Sequence, residues 1–328
     1  MTANLQAKKI QLRNFGRKAS TSGEKQPKAA DPQPGNMGDE ERRRRLRRLF
    51  DPSMDSAMDA DISIEIAEVL AGANRLGSGT LRMVRSAGRL SISPLALSIP
   101  GGDVNCALEL TNTDSGVHGT LKAEIHRLDY GELLRLKDPN NINDGTAGLV
   151  IDLESAAESA EALLAAADGR VAFSIQPENI QAGVLDFWAV NLLTAVLPVL
   201  NPKNESKINC IFADLVMNDG IMKEKSFVID TSKIRVRGRA NVDFKKQAIY
   251  LRLMPTPKRP QFLSLATPLE VRGKFSDFKV GLARGGLIGT AIRFLTAHIV
   301  VPIQWIILNR LPEDGSDVCH DVISDHLQ

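Results

Sequence analysis

Aromatic residues are scarce: two Trp, two Tyr and 11 Phe make up 5% of the 328 residues. A core of this composition rests on Leu, Ile, Val and Ala, and the aromatic platforms that stack single-stranded nucleic acid have little to draw on. Cysteine is scarcer still, with Cys106, Cys210 and Cys319 alone. Three thiols exclude a disulfide scaffold, and an odd number excludes full internal pairing; one bridge is the most they allow. The opening residues, MTANLQAKKIQLRNFGRK, hold no apolar stretch of the length a secretory signal needs. Taken alone, that points to the cytoplasm.

The signatures of common chemistries are also missing. There is no GxSxG to place a nucleophile beside a base. The segment VGLARGGLIGT (280–290) follows an expected strand and opens an expected helix, but it lacks both Gly-Lys-Ser/Thr and GxGxxG, so it reads as a turn and a helix start. The run CHDVISDH (319–326) gathers Cys319, His320, Asp321 and His326 without the paired spacing of a zinc site. His118 and His126 fall beside charges on or near an outward strand face. The expectation is a protein that is not an enzyme and that takes no metal and no cofactor.

Charge is distributed unevenly. Residues 1–50 hold 13 Lys and Arg against 5 Asp and Glu, a net of +8, so the whole-chain value of +2 leaves −6 on the remainder. The low-complexity stretch 16–41 buries too little apolar surface to order itself. RRRRLRRLF (42–50) follows it, either as a patch for anionic lipid or nucleic acid or as the solvated end of the linker. Arg235, Arg237, Arg239, Arg252, Lys258, Arg259, Arg272 and Lys274 lie further on, but few aromatics accompany them and the body is net acidic, which opposes a phosphate footprint. Nucleic acid is therefore a disfavoured partner.

From residue 61 the apolar residues recur with period two, the signature of half-buried strands. DISIEIA, RLSISPLALSI (with Pro94 breaking the run), DVNCALEL and VHGTLKAEI are separated by GANRLGSG, PGGD and TNTDSG, turns too short for crossovers. RVAFSIQ and the stretches 208–216, 222–230, 233–244, 247–254 and 268–276 continue the pattern. Three helices are expected to cap this sheet. The first, about 155–167, is Ala-rich, with Ser155 and Glu158 at capping-box spacing and Gly169 at its end. The second, 183–200, is apolar and stopped by Pro198 and Pro202. The third, 287–309, carries Arg293 opposite its apolar stripe and reads as an amphipathic helix, with a membrane span as its rival.

Several of these stretches together resemble one family. GRLSISPLALSIPGGDVNCALEL is similar to its strand–turn–strand unit, and LFDPSMDSAMDADISIEIAEV to the opening of its carboxy-terminal region. ESAEALLAAADGRVAFSIQPENIQAGVLDFW is similar to its helix–Gly–strand–helix module. INCIFADLVMNDGIMKEKSFVIDTSKIRVRGRANVDFKKQAIYLRLMPTPKR, followed by PLEVRGKFSDFKVG, resembles its most recognisable stretch. The family is the AsmA-like proteins of the Gram-negative envelope, and the likeness covers about residues 45–325, their carboxy-terminal region.

The resemblance implies a fold and a function. The fold is mainly β with a few helices: a curled antiparallel sheet forming an apolar trough, related to bridge-like lipid-transfer proteins. The domains would be a disordered basic arm (1–50), an AsmA-like β-rich body (51–311) and a polar tail (312–328). The function would be lipid binding or transfer in outer-membrane lipid homeostasis, in the periplasm, normally with an inner-membrane anchor that this chain does not include. Phospholipid acyl chains are the implied partners, with the inner-membrane surface or other envelope proteins beside them; a β-rich assembly or scaffold protein without lipid is the alternative. SDVC is similar to the family's late cysteine, and the resemblance implies a bridge between Cys210 and Cys319 that leaves Cys106 free.

The inward candidates are Ile62, Ile64, Leu90, Ile92, Leu108, Leu110, Leu121, Ile125, Val171, Phe173, Val236, Val242, Phe244, Leu251, Leu253, Val271 and Phe275. Each lines a groove or is ordinary core under a helix. In SKIRVRGRANVDF (232–244), Val236, Val242 and Phe244 take the inward side, and Arg235, Arg237 and Arg239 the solvated back.

Overall fold

The computed structural model describes residues 2–12, 59–71, 74–178, 207–232, 234–258, 268–282 and 311–319. Alternating sequences become strands here because period two matches the pleat: one side of each strand finds apolar neighbours and the other finds water. The described strands form a single curled, unclosed sheet. They are β1 (Thr2–Ala7), β2 (Ile10–Leu12), β3 (Ala60–Ala71), β4 (Asn74–Ser86), β5 (Arg89–Ile99), β6 (Gly102–Thr113), β7 (Gly116–Asp129) and β8 (Asp144–Ala157). Then come β9 (Ala167–Glu178), β10 (Ile208–Asn218), β11 (Ile221–Thr231), β12 (Ile234–Asp243), β13 (Ala248–Pro257), β14 (Leu269–Lys274) and β15 (Asp277–Leu282). The order is β1-β3-β4 and so on in sequence to β15, with β2 also pairing β3.

The fold class is mainly β with few helices, as the sequence implies. Several particulars differ. The sheet is mixed, because β1 and β2 lie parallel to β3, with Leu5 opposite Ile64 and Ile10 opposite Val69. Residues 2–7 and 10–12 are therefore strand, where the start of a disordered arm is expected. GANRLGSG is not a turn throughout, since β4 begins at Asn74. The expected strand 268–276 is β14 with the start of its turn, and an unexpected strand, β15, follows as its hairpin partner.

The expected capping helix at 155–167 is reduced to a 3-10 helix over Ala160–Ala166. Its first residues complete β8 and pair with β9, Ser155 opposite Ala167. A 3-10 turn, Ala160–Ala166, closes the hairpin, and Ser155 Oγ donates to the Leu163 carbonyl at 2.6 Å. Ala-rich propensity yields to the hydrogen bonds of the ladder on both sides. Gly169 lies within β9 at a φ of +135°, not at a helix end. The expected helices at 183–200 and 287–309 lie outside the described residues. An unexpected helix, α1 (Tyr130–Lys137), joins β7 to β8; the Asp129 side chain caps it by accepting from the Glu132 amide. The described part of the tail, 311–319, ends in a single helical turn, α2 (Ser316–Cys319).

Candidate functional site

Cross-strand partners share a face, so the registers identify the side on which each candidate lies. Ile62 and Ile64 stand opposite Met83 and Leu81. Met83 leads to Ile92, which faces Leu108; Leu90 faces Leu110, and Leu108 faces Leu121. Leu121 and Ile125 meet Leu153 and Leu149, and Leu149 and Ile151 meet Phe173 and Val171. Phe173 meets Ala213, and Ile211 meets Ile229. Ile229 meets Val236, Val242 meets Ile249, and Leu251 and Leu253 meet Val271 and Leu269. One apolar face thus runs without a break from β3 to β14. Phe244 and Phe275 lie outside the strands, in the turns after β12 and β14, where their rings meet edge to face at 5.7 Å.

The candidates divide by burial. Val236, Leu251, Leu253 and Val271 are buried in one cluster with Ile211, Ile229 and Leu269. Leu90 and Leu110 are buried with Val117, and Leu163 of the 3-10 turn packs against them. Ile62, Ile64, Ile92, Leu108, Leu121, Ile125, Val171, Phe173, Val242 and Phe244 are only part-buried, and Phe275 is 40% exposed. The part-buried stretch is continuous across β6–β9, where Leu149, Ile151 and Leu153 of β8 join it. Those three were not among the candidates, although LVIDL carries the same alternation; the helix expected just after them drew their strand out of view.

The opposite face is mostly polar, with Phe212 and Val228 buried on it at β10 and β11, and is laced by ion pairs between neighbouring strands. Arg82 pairs with Asp61 at 3.1 Å, Arg89 with Glu109 at 3.2 Å, Lys122 with Asp152 at 3.5 Å and Arg170 with Asp214 at 2.8 Å. The Arg82 guanidinium holds the Asp61 carboxyl below the usual carboxylate range. Arg237 and Arg239 are exposed on this face. Arg235 departs from the expected solvated arginines: its side chain is 4% exposed and grips Asp230 at 2.7 Å and Asp317 of the tail at 2.6 Å. Those carboxylates raise the Arg235 pKa further above its ordinary value, Asp317 contributing most.

A disulfide joins Cys210 of β10 to Cys319 of α2, with Cα atoms 5.8 Å apart, and Cys106 is free. Near α1, burial and the carboxylates of Asp144, Glu178 and Asp129 push the Tyr130 phenol up, and its hydroxyl donates to the Asp144 carbonyl at 2.8 Å. Among the described residues, no three His, Cys, Asp or Glu side chains are grouped to hold a metal, and no helix is long and apolar enough to cross a membrane. His320, Asp321 and His326 lie outside the described residues, as does most of the 280–290 loop.

The sequence model of the AsmA family matches residues 1–227. The AsmA family protein YhjG of Escherichia coli (strain K12) is 20% identical over 278 residues, which is 84% of this chain and 40% of that protein. The chain thus spans well under half the length of this curated relative. No solved structure matches. With more than half its length matched and a sheet of the implied class, the chain belongs to the AsmA family.

Proposed function

We propose that the protein is a non-enzymatic lipid-binding or lipid-transfer module of the cell envelope, holding phospholipid acyl chains against the apolar face of its sheet. Membership of the AsmA family supports an envelope-associated protein. The observation that carries the finer reading is the unbroken apolar face, whose β6–β9 portion stays part-accessible. Large apolar surfaces left open to solvent usually mark a binding site. Acyl chains suit such a face, since burial returns roughly 0.8 kcal/mol per CH₂ and needs no directional polar group. A groove of this kind requires no catalytic constellation and no cofactor. The periplasm, beside the inner membrane or among other envelope proteins, is the proposed setting.

The test is organic extraction of purified protein followed by lipid mass spectrometry. Stoichiometric phospholipid supports the reading, and a lipid-free, monodisperse protein sinks it. One observation favours a second reading, that of a lipid-free envelope scaffold. Phe278 and Val280 of β15 are 41% and 38% exposed, and among the described residues β15 pairs with β14 alone. An apolar edge strand is where another chain can add by strand pairing.

A further inference from the structure

The tail, residues 311–319, is fastened to the polar face of the sheet in two ways. One fastening is the disulfide of Cys319 with Cys210. The other is an ion cluster that an apolar groove does not call for. Asp230, with no exposed side-chain surface, accepts from Arg235 Nε at 2.7 Å, from Lys258 Nζ at 2.6 Å and from Asn209 Nδ2 at 2.8 Å. Arg235 presents its remaining nitrogens to the Asp317 carboxylate as a fork, at 2.8 and 2.6 Å. Lys258 also donates to the carbonyls of Pro312 and Glu313, at 2.6 and 3.2 Å.

The receiving half of this cluster belongs to the sheet. Arg235 stands opposite Asp230 in the β11–β12 register, whatever the tail does. Two cations then share one buried carboxylate, and Asp317 supplies the second negative charge. A bidentate arginine–carboxylate pair fixes direction as well as contact. Asp317 and Cys319 lie on the same turn of α2, so seating one places the other. Gly315 allows the close approach: its φ is +69°, and a Cβ there would press on the Asp230 carboxylate and come within 2.9 Å of Cys319 Sγ. Cys106 is on the other side of the sheet, opposite Ala123 on the apolar face, whereas Cys210 stands opposite Asp230 on the polar face. Four strand spacings also separate β6 from β10, roughly 19 Å along the ladder.

We propose that Arg235 and Asp317, backed by Asp230 and Lys258, form a positioning clasp that seats the tail before the disulfide closes, directing Cys319 to Cys210 and away from Cys106. The bond forms by exchange with a disulfide oxidant. One thiolate attacks the oxidant and forms a mixed disulfide, releasing one oxidant thiol. The second thiolate then displaces the other oxidant sulfur. The protein's two thiols lose two protons and two electrons, and the oxidant leaves as two thiols.

The test is hydrogen exchange on the full chain carrying Cys319→Ala, read at the amides of positions 318 and 319, which donate to the Gly315 carbonyl at 2.9 and 2.8 Å. With the bond absent, these amides should exchange about tenfold or more slowly than in a Cys319→Ala, Asp317→Asn double variant. Amides of β10 and β11 should stay equally protected in both, which separates release of the tail from unfolding. Equal exchange at 318 and 319 in the two proteins overturns the proposal, as does loss of β10–β11 protection in Cys319→Ala alone. A second measurement follows pairing by mass mapping while the reduced chain is refolded with oxidised glutathione. Asp317→Asn should slow formation of Cys210–Cys319 and yield bridges that contain Cys106; wild-type rate and pairing in that variant overturn the proposal.

Discussion

The ring of Phe227 occupies the space that a side chain at Gly238 would fill. The two residues are on neighbouring strands, β11 and β12, and a Cβ at Gly238 would run into Phe227 Cδ1, 2.6 Å from Cγ and 2.9 Å from Cε1. Glycine usually weakens a strand interior, but here it forms the seat of an aromatic ring. Gly238→Ala should destabilise the protein by about 1–3 kcal/mol, the usual cost of overpacking. Urea denaturation measures it, and Phe227→Leu should recover part of the loss when the two are combined, because neighbouring sites are not additive.

Charge on the apolar face should displace lipid without breaking the sheet. Leu121→Lys and Val171→Lys lie in the part-buried stretch, opposite Leu153 and Ile151. A lysine there can extend its amine towards water while its stem covers apolar neighbours. Both variants should keep their far-UV circular dichroism and lose most of the phospholipid that co-extracts with the wild type. Thr120→Lys, on the polar face opposite Glu154, should retain it.

The ion pairs of the polar face should differ sharply in worth. Asp214 has no exposed surface and faces Arg170 at 2.8 Å and Lys225 at 3.4 Å, while those cations keep contact with solvent. Asp214→Ala should cost about 1–3 kcal/mol, since it removes a buried, charge-assisted hydrogen bond. Asp61→Ala removes a pair in which both partners are exposed, and it should leave the denaturation midpoint unchanged.

Acid should loosen the tail before it melts the sheet. The Arg235 hydrogen bond holds the Asp317 carboxyl below its ordinary value of 3.8, against the opposing effect of burial. A carboxylate whose folded pKa is depressed contributes stability that is complete above its unfolded value and is lost as pH falls through the folded one. Arg235 stays charged throughout. The Ser316 amide likewise holds the Asp314 carboxyl below its ordinary value. Protection factors at positions 318 and 319, corrected for intrinsic exchange, should be constant from pH 7 to about 5 and fall below about pH 4. In Asp317→Asn they should start lower and show much less of that fall.

The parts of the fold that could be read in advance are those whose residues carry their own periodicity. DISIEIA, VHGTLKAEI and IRVRGRANVD (234–243) each alternate cleanly, and each lies in a strand with its apolar residues on one common face. β8 is hard to read because its last residues open the run ESAAESAEALLAAA (154–167), which has helical composition, and only pairing with β9 decides the matter. The parallel pairing of β1 with β3 joins residues 2–7 to residues 61–66, a contact across sequence that alternation does not encode. α1 did leave a signal: Asp129 followed three residues later by Glu132, before Leu133 and Leu134. The clasp left none, because Asp230, Arg235, Lys258 and Asp317 are brought together by register and tail path, not by spacing.

Among the described residues, every strand from β4 to β15 hydrogen-bonds only to the strands next to it in the chain, and the sheet is unclosed. Such a molecule behaves as a one-dimensional stack, with stability summed from neighbour to neighbour and folding free to start at any hairpin. A closed barrel must keep strand number, tilt and stagger mutually consistent, and losing one strand disturbs all the rest. Here one hairpin more or less changes the apolar surface by about 10 Å and leaves every other register as it was. The length of the surface is therefore set by a count of modules, and it can grow or shrink one hairpin at a time.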